Sequence, residues 1–147
     1  MERDKQSHKF HYLLHSADLL QDYLRAQLAP LEISPHQARV IMALNRMGEV
    51  SQIDLAREFD IAAASMSTMT SRLIALGLIR SRKDPANAKR NIVSLTKQGK
   101  ALVGDIDRVW TGVDEYVAEK LGERDVSKLA ALALSLRDAL GGRWPGG

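Results

Sequence analysis

Apolar positions recur at spacings of three and four along most of the chain, and this predicts a mainly helical protein. Phe10, Leu13, Leu14, Ala17, Leu20, Leu24 and Leu28 form one stripe and predict a first helix over Ser7–Leu28, stopped at Ala29-Pro30. Ser34-Pro35-His36-Gln37 opens a second helix, with Ser34 as N-cap, proline at the first helical position and Gln37 completing a capping box. Val40, Ile41, Leu44 and Met47 are its buried positions and Gly48 its end. Ser51 caps a short third helix with Ile53, Leu55, Ala56 and Phe59 as its expected buried side. A tight turn at Phe59-Asp60-Ile61 leads into a fourth helix. Met66, Met69, Thr70, Leu73 and Gly77 share one face of it, while Ala64, Ser67, Thr68, Ser71 and Arg72 form a short-chained polar face. Gly77 suits the left-handed residue that ends a helix.

The period then changes. Leu78–Arg82 and Asn91–Leu95 are short runs with β-branched members around the turn cluster Asp84-Pro85-Ala86-Asn87, which predicts a small β-hairpin. Thr96 caps a long fifth helix to about Leu121, with one apolar row through Leu102, Ile106, Val109, Val113 and Tyr116 and another through Val103, Trp110, Val117 and Leu121. A last helix over about Arg124–Leu140 carries Val126, Leu129, Leu132, Leu136 and Leu140, and the tail from Gly141 is expected to fray. The expected fold class is mainly α with a small β-hairpin: a winged helix-turn-helix core flanked by N- and C-terminal dimerisation helices. Terminal helices this apolar need more cover than the central lobe offers, so the first, fifth and sixth are expected to pack on a second copy.

Charge sharpens this picture. The 147 residues carry a net charge of only +3, yet residues 68–100 hold Arg72, Arg80, Arg82, Lys83, Lys89, Arg90, Lys97 and Lys100 against Asp84 alone. A segregated basic segment with acidic flanks is the footprint of a polyanionic partner. A helix with a small polar face fits the major groove of duplex DNA, and cations on a following hairpin reach phosphates or the minor groove. The candidate DNA contacts are Ser65, Ser67, Thr68, Ser71 and Arg72 on the fourth helix, and Arg82, Lys83, Asn87, Lys89 and Arg90 on the hairpin. Arg72 is equally suited to an intramolecular ion pair.

Other chemistries find less support. The chain has no cysteine, which excludes disulfides and thiolate metal sites. It has no apolar run of membrane-spanning length, and Met1-Glu-Arg-Asp-Lys-Gln6 is not a signal peptide, so a cytoplasmic protein is expected. No phosphate loop, nucleophile elbow or paired carboxylates appear. Asp105, Asp107, Asp114 and Glu115 read as the wet side of the fifth helix, and neither an enzyme nor a cofactor is expected. His8, His11 and His15 share a face of the first helix, which leaves a His-based metal-binding protein as a minor alternative. A winged-helix module that binds protein rather than DNA is the stronger alternative.

The order of elements, together with Ser34-Pro-His-Gln37, Leu55-Ala56, Ser71-Arg72-Leu73, Leu76-Gly-Leu-Ile79 and the hairpin end Val93-Ser-Leu-Thr96 followed by Gly99, resembles the MarR family of bacterial transcriptional regulators. The resemblance spans essentially residues 1–147 as a single MarR-like domain, with a DNA-binding lobe over 34–96 and a helical dimerisation region over 7–30 and 97–141. It implies a homodimer on a pseudo-palindromic operator in double-stranded DNA, usually repressing, and a small aromatic or anionic effector that releases DNA. The chain departs from the family at the wing tip. Where the family has Asp-x-Arg, this sequence has Asn87-Ala88-Lys89, then Arg90. Lysine lacks arginine's planar fork, leaving Arg90 and Arg82 as alternatives for minor-groove insertion.

Overall fold

The computed structural model describes residues 8–142. Its first helix, α1, runs Lys9–Leu28, so the predicted start at Ser7 lies outside the described residues, as does the tail over 143–147. One 3₁₀ turn, Ala29–Leu31, follows. The second helix, α2 (Pro35–Met47), begins as its sequence dictates: Gln37 N–H donates to Ser34 Oγ at 3.2 Å and Ser34 N–H donates to Gln37 Oε1 at 2.9 Å. That reciprocal pair satisfies two amide donors that helix geometry leaves orphaned.

A two-residue strand, β1 (Val50–Ser51), was not predicted. The sheet therefore has three strands in the order β1-β3-β2, all antiparallel, rather than a lone hairpin. β2 runs Ile79–Asp84 and β3 Asn87–Leu95, both longer than predicted, because the connecting turn takes only Pro85 and Ala86. Between the first two strands lie α3 (Gln52–Glu58) and α4 (Ala63–Ala75). Ser51 caps α3 by accepting from Asp54 N–H at 3.1 Å. Ile53, expected on the buried side of α3, is exposed: the helix has barely two turns, and Leu55 and Ala56 take its inner side. Phe59 is half-buried, with the Arg39 guanidinium 5.4 Å above its ring.

Leu28, Ile41, Leu44, Leu55, Met66, Leu73, Ile79, Val93 and Ile106 are fully buried in one core that joins the lobe to α5 (Lys97–Leu121). Thr96 caps α5, its Oγ1 donating to Gly77 O at 2.6 Å and accepting from Gly99 N–H at 3.1 Å. Gly99 is buried so close to the Leu78 carbonyl that a Cβ there would collide with it. This junction fixes the direction of α5 relative to the lobe. Tyr23 stacks on Tyr116 at 3.9 Å between ring centroids, tying α1 to α5.

Beyond this contact the helical ends are open. Phe10, Leu13, Leu14 and Leu20 are exposed on α1, and Leu129, Leu132 and Leu136 on α6 (Glu123–Ala139). Only the far end of the α1 stripe, at Leu24 and Leu28, meets the core. Among the described residues no helix is long and apolar enough to cross a membrane.

Candidate nucleic-acid interface

The third and fourth helices meet through a turn in which Asp60 takes a left-handed conformation, φ 53°. Asp is among the few residues for which that costs little. Thr70, 1% exposed, pins the two helices together, its hydroxyl 3.1 Å from both Gln52 Oε1 and the Ser67 carbonyl. Met66 and Leu73 carry the rest of the inner face of α4. The helix ends as predicted: Gly77, φ 74°, donates to Ile74 O, and Leu78 N–H donates back to Leu73 O. This double closure lets the chain reverse directly into the sheet.

The outer face of α4 is consequently fixed. Ala64, Ser65, Ser67, Thr68, Ser71 and Arg72 are all exposed. Thr68 Oγ1 donates to Ala64 O at 3.1 Å. Arg72, weighed above as an ion-pair candidate, has no carboxylate partner among the described residues.

The wing follows α4 and contacts it through β2, and its cations divide into two groups. Arg82 Nη2 lies 2.7 Å from Glu49 Oε2. Arg90 Nη2 donates to Ser51 Oγ at 2.9 Å and lies 3.3 Å from Asp54 Oδ2, while its Nε is buried without a hydrogen-bond partner among the described residues. Both arginines thus fasten the wing to β1 and the start of α3. The Arg82 guanidinium hydrogen-bonded to Glu49, with Arg80 nearby, holds the Glu49 carboxyl below the usual glutamate range. Lys83 and Lys89 stand exposed with no carboxylate against them among the described residues. Asn87 shapes the tip, its Oδ1 accepting from Lys89 N–H at 3.1 Å, as Asp84 Oδ1 accepts from Ala86 N–H at 2.9 Å. The lobe therefore carries an exposed small-side-chain helix face and an exposed cationic hairpin, on elements that contact each other through α4 and β2.

Residues 31–90, which contain this helix pair and most of the wing, match the model of the MarR family. Over this stretch the chain is similar to the MarR family.

Solved structures share the winged fold. A mutant of MarR from Escherichia coli, solved in complex with operator DNA, is 20% identical with a TM-score of 0.76, the match covering 86% of this chain and 91% of that one. Bordetella bronchiseptica BpsR, whose DNA binding is regulated by 6-hydroxynicotinic acid, is 20% identical with a TM-score of 0.80 over 94% of this chain and 99% of that one. Transcriptional regulator PA4135 is 25% identical with a TM-score of 0.74 over 90% and 98%. No functionally curated protein is similar enough in sequence to match.

Within this lobe the sequence did not point to Glu49, Ser51 and Asp54 as the anchors of the wing arginines. The partners lie 33, 39 and 36 residues away along the chain, so no local spacing signals them. His8, the N-cap of α1, and His11 and His15 within it are exposed, with the His8 and His11 rings 6.0 Å apart between centroids. Among the described residues no three His, Cys, Asp or Glu side chains are placed to hold a metal ion.

A cleft of about 490 Å³ lies between the end of α2, the outer face of the sheet and the first turns of α5, with Arg80, Lys100, Asn45 and Ser94 on its walls. A smaller one of about 290 Å³ runs between Leu31–Ile33, Leu76, Leu78 and the first turns of α5.

Proposed function

We propose that this chain is a MarR-type, sequence-specific DNA-binding transcription regulator that acts as a homodimer and represses its target. The observation that carries the reading is the exposed, short-chained outer face of α4, followed in the same lobe by a wing with exposed lysines. On the opposite side of α4, Met66, Thr70 and Leu73 are buried, so the exposed face is held in a single orientation. Short side chains let a helix backbone come close to the floor of the major groove, which is about 12 Å wide. Ser65, Ser67, Thr68 and Ser71 meet base edges and phosphates there, with Arg72 on a flanking phosphate. Lys83 and Lys89, with Asn87, meet the backbone or the adjacent minor groove. Arg82 and Arg90 keep the wing in place, and they reach DNA only by exchanging a carboxylate for a phosphate.

The dimer is supported by the leucines left open on α1 and α6. A two-fold pair would present two α4 helices to half-sites about one turn of DNA apart, near 34–36 Å. A monomeric mass in sedimentation at micromolar concentration would overturn that part. For an anionic aromatic effector the better-suited place is the larger cleft, because Arg80 and Lys100 offer two cations there and the one carboxylate in its lining, Glu49, is paired with Arg82. The smaller cleft is largely apolar and carries Glu32.

Selection of bound sites from random duplex tests the function. Recovery of a pseudo-palindrome with two half-sites one turn apart is expected. Failure to enrich any sequence, with binding indifferent to salt, would favour a protein-binding module instead.

A further inference from the structure

The side chains that α4 offers to a groove are unusual in what they lack. Across Ala63–Ala75 there is no Asn, Gln, Asp, Glu or Lys, and Arg72 lies in the last turn. The strong discriminating contacts in the major groove are bidentate: Arg or Lys to guanine, Asn or Gln to adenine. The N-terminal half of a reading helix, the part that reaches base edges, can make none of them here. What it offers at the centre of its exposed face is the methyls of Ala64 and Thr68, with Ser67 and Ser71 beside them. The Thr68 hydroxyl proton is committed to the Ala64 carbonyl, 3.1 Å away, so Thr68 brings its methyl and a weak acceptor, not a donor. Among the four bases only thymine places a methyl group in the major groove.

We infer that α4 recognises its half-site by apolar contact with thymine C5-methyl groups, chiefly through Ala64 and Thr68. The inference rests on the DNA-binding reading and names what is read. The two residues are four apart, about 6 Å along the helix axis, so they meet thymines one or two base pairs apart. Serine hydroxyls at 67 and 71 tolerate either groove pattern and add position more than sequence.

Deoxyuridine tests this directly, since it pairs as thymine does and lacks only the methyl. Full-length protein is titrated onto a selected duplex and onto versions with single thymine-to-deoxyuridine changes across the half-site and the flanks. Losing one methyl contact should weaken binding about fourfold, equivalent to ~0.8 kcal/mol per buried carbon, at one or two positions in each half-site and nowhere in the flanks. Thr68→Ser keeps the hydroxyl and removes the methyl. In that variant the deoxyuridine facing residue 68 should cost nothing further, while the one facing Ala64 still costs its fourfold. Tight, salt-dependent binding that ignores deoxyuridine throughout the half-site would overturn the inference and leave the DNA-binding reading standing. So would equal losses in flank and half-site, or full additivity in Thr68→Ser. Failure to bind any duplex would overturn both.

Discussion

Replacing Arg90 and Lys89 one at a time separates a side chain that shapes the wing from one that meets DNA. Arg90 reaches Ser51 Oγ at 2.9 Å and Asp54 Oδ2 at 3.3 Å, with side-chain exposures of 34% for Arg90 and 45% for Asp54. A pair this open to solvent is screened and contributes at most about 1 kcal/mol. The hydrogen bond to Ser51 adds about 0.5–1.5 kcal/mol. Arg90→Ala should therefore cost ~1–2 kcal/mol of stability, which for a chain of this size lowers the melting temperature by roughly 2–4 °C per kcal/mol. DNA affinity should fall as the wing loosens. Its salt dependence should not, because Asp54 already neutralises the guanidinium. Lys89→Ala should do the reverse: stability within about 0.5 kcal/mol of the parent, and a salt slope shallower by roughly 0.9 per lost phosphate contact, or about 2 per dimer. Fluorescence anisotropy across a salt series, with thermal melts of each variant, measures both. The reasoning is refuted if Arg90→Ala removes as much slope as Lys89→Ala and leaves the melting temperature untouched.

Gly99→Ala should destabilise the chain by at least ~1–3 kcal/mol, since the added Cβ meets the fixed Leu78 carbonyl rather than a side chain that can move; an unchanged melting temperature would contradict that packing. Ser34→Ala should cost about 1 kcal/mol in chemical denaturation by leaving the α2 capping box unmade. Glu49, held low by Arg82, should titrate below an ordinary glutamate in an NMR pH series, and Arg82→Ala should move it upward. Because the shift is downward, whatever the pair adds to stability is complete at neutral pH and disappears as pH falls through the lowered value. A Glu49 that titrates identically in both proteins would remove Arg82 as the cause.

What could be read from the sequence was local. The Ser34 and Thr96 caps, the Gly77 stop and the buried face of α4 each depend on residues within a turn of one another, and each stands as expected. β1 escaped because two residues between Gly48 and a helix cap carry no period; Val50 and Ser51 become a strand only by pairing with Val93 and Ile92. Ile53 was misplaced because a helix of seven residues admits more than one apolar stripe. The exposure of Ser67, Thr68 and Ser71 was legible, being the complement of the Met66–Leu73 face. The pairing of Arg82 with Glu49 and of Arg90 with Asp54 was not. A basic hairpin looks uniformly available in sequence, and only the folded sheet brings Glu49, just before β1, and Asp54, in the first turn of α3, against two of its arginines.

The measurement that bears most directly on the account is the salt dependence of binding to a selected duplex. With Arg72, Lys83 and Lys89 each meeting a phosphate on both copies of a dimer, the logarithm of the association constant should fall linearly with the logarithm of salt concentration, with a slope of about −5 at roughly −0.9 per contact. A slope near zero, or no duplex bound above background at low salt, would contradict the claim that the outer face of α4 and the wing together form a DNA-reading surface.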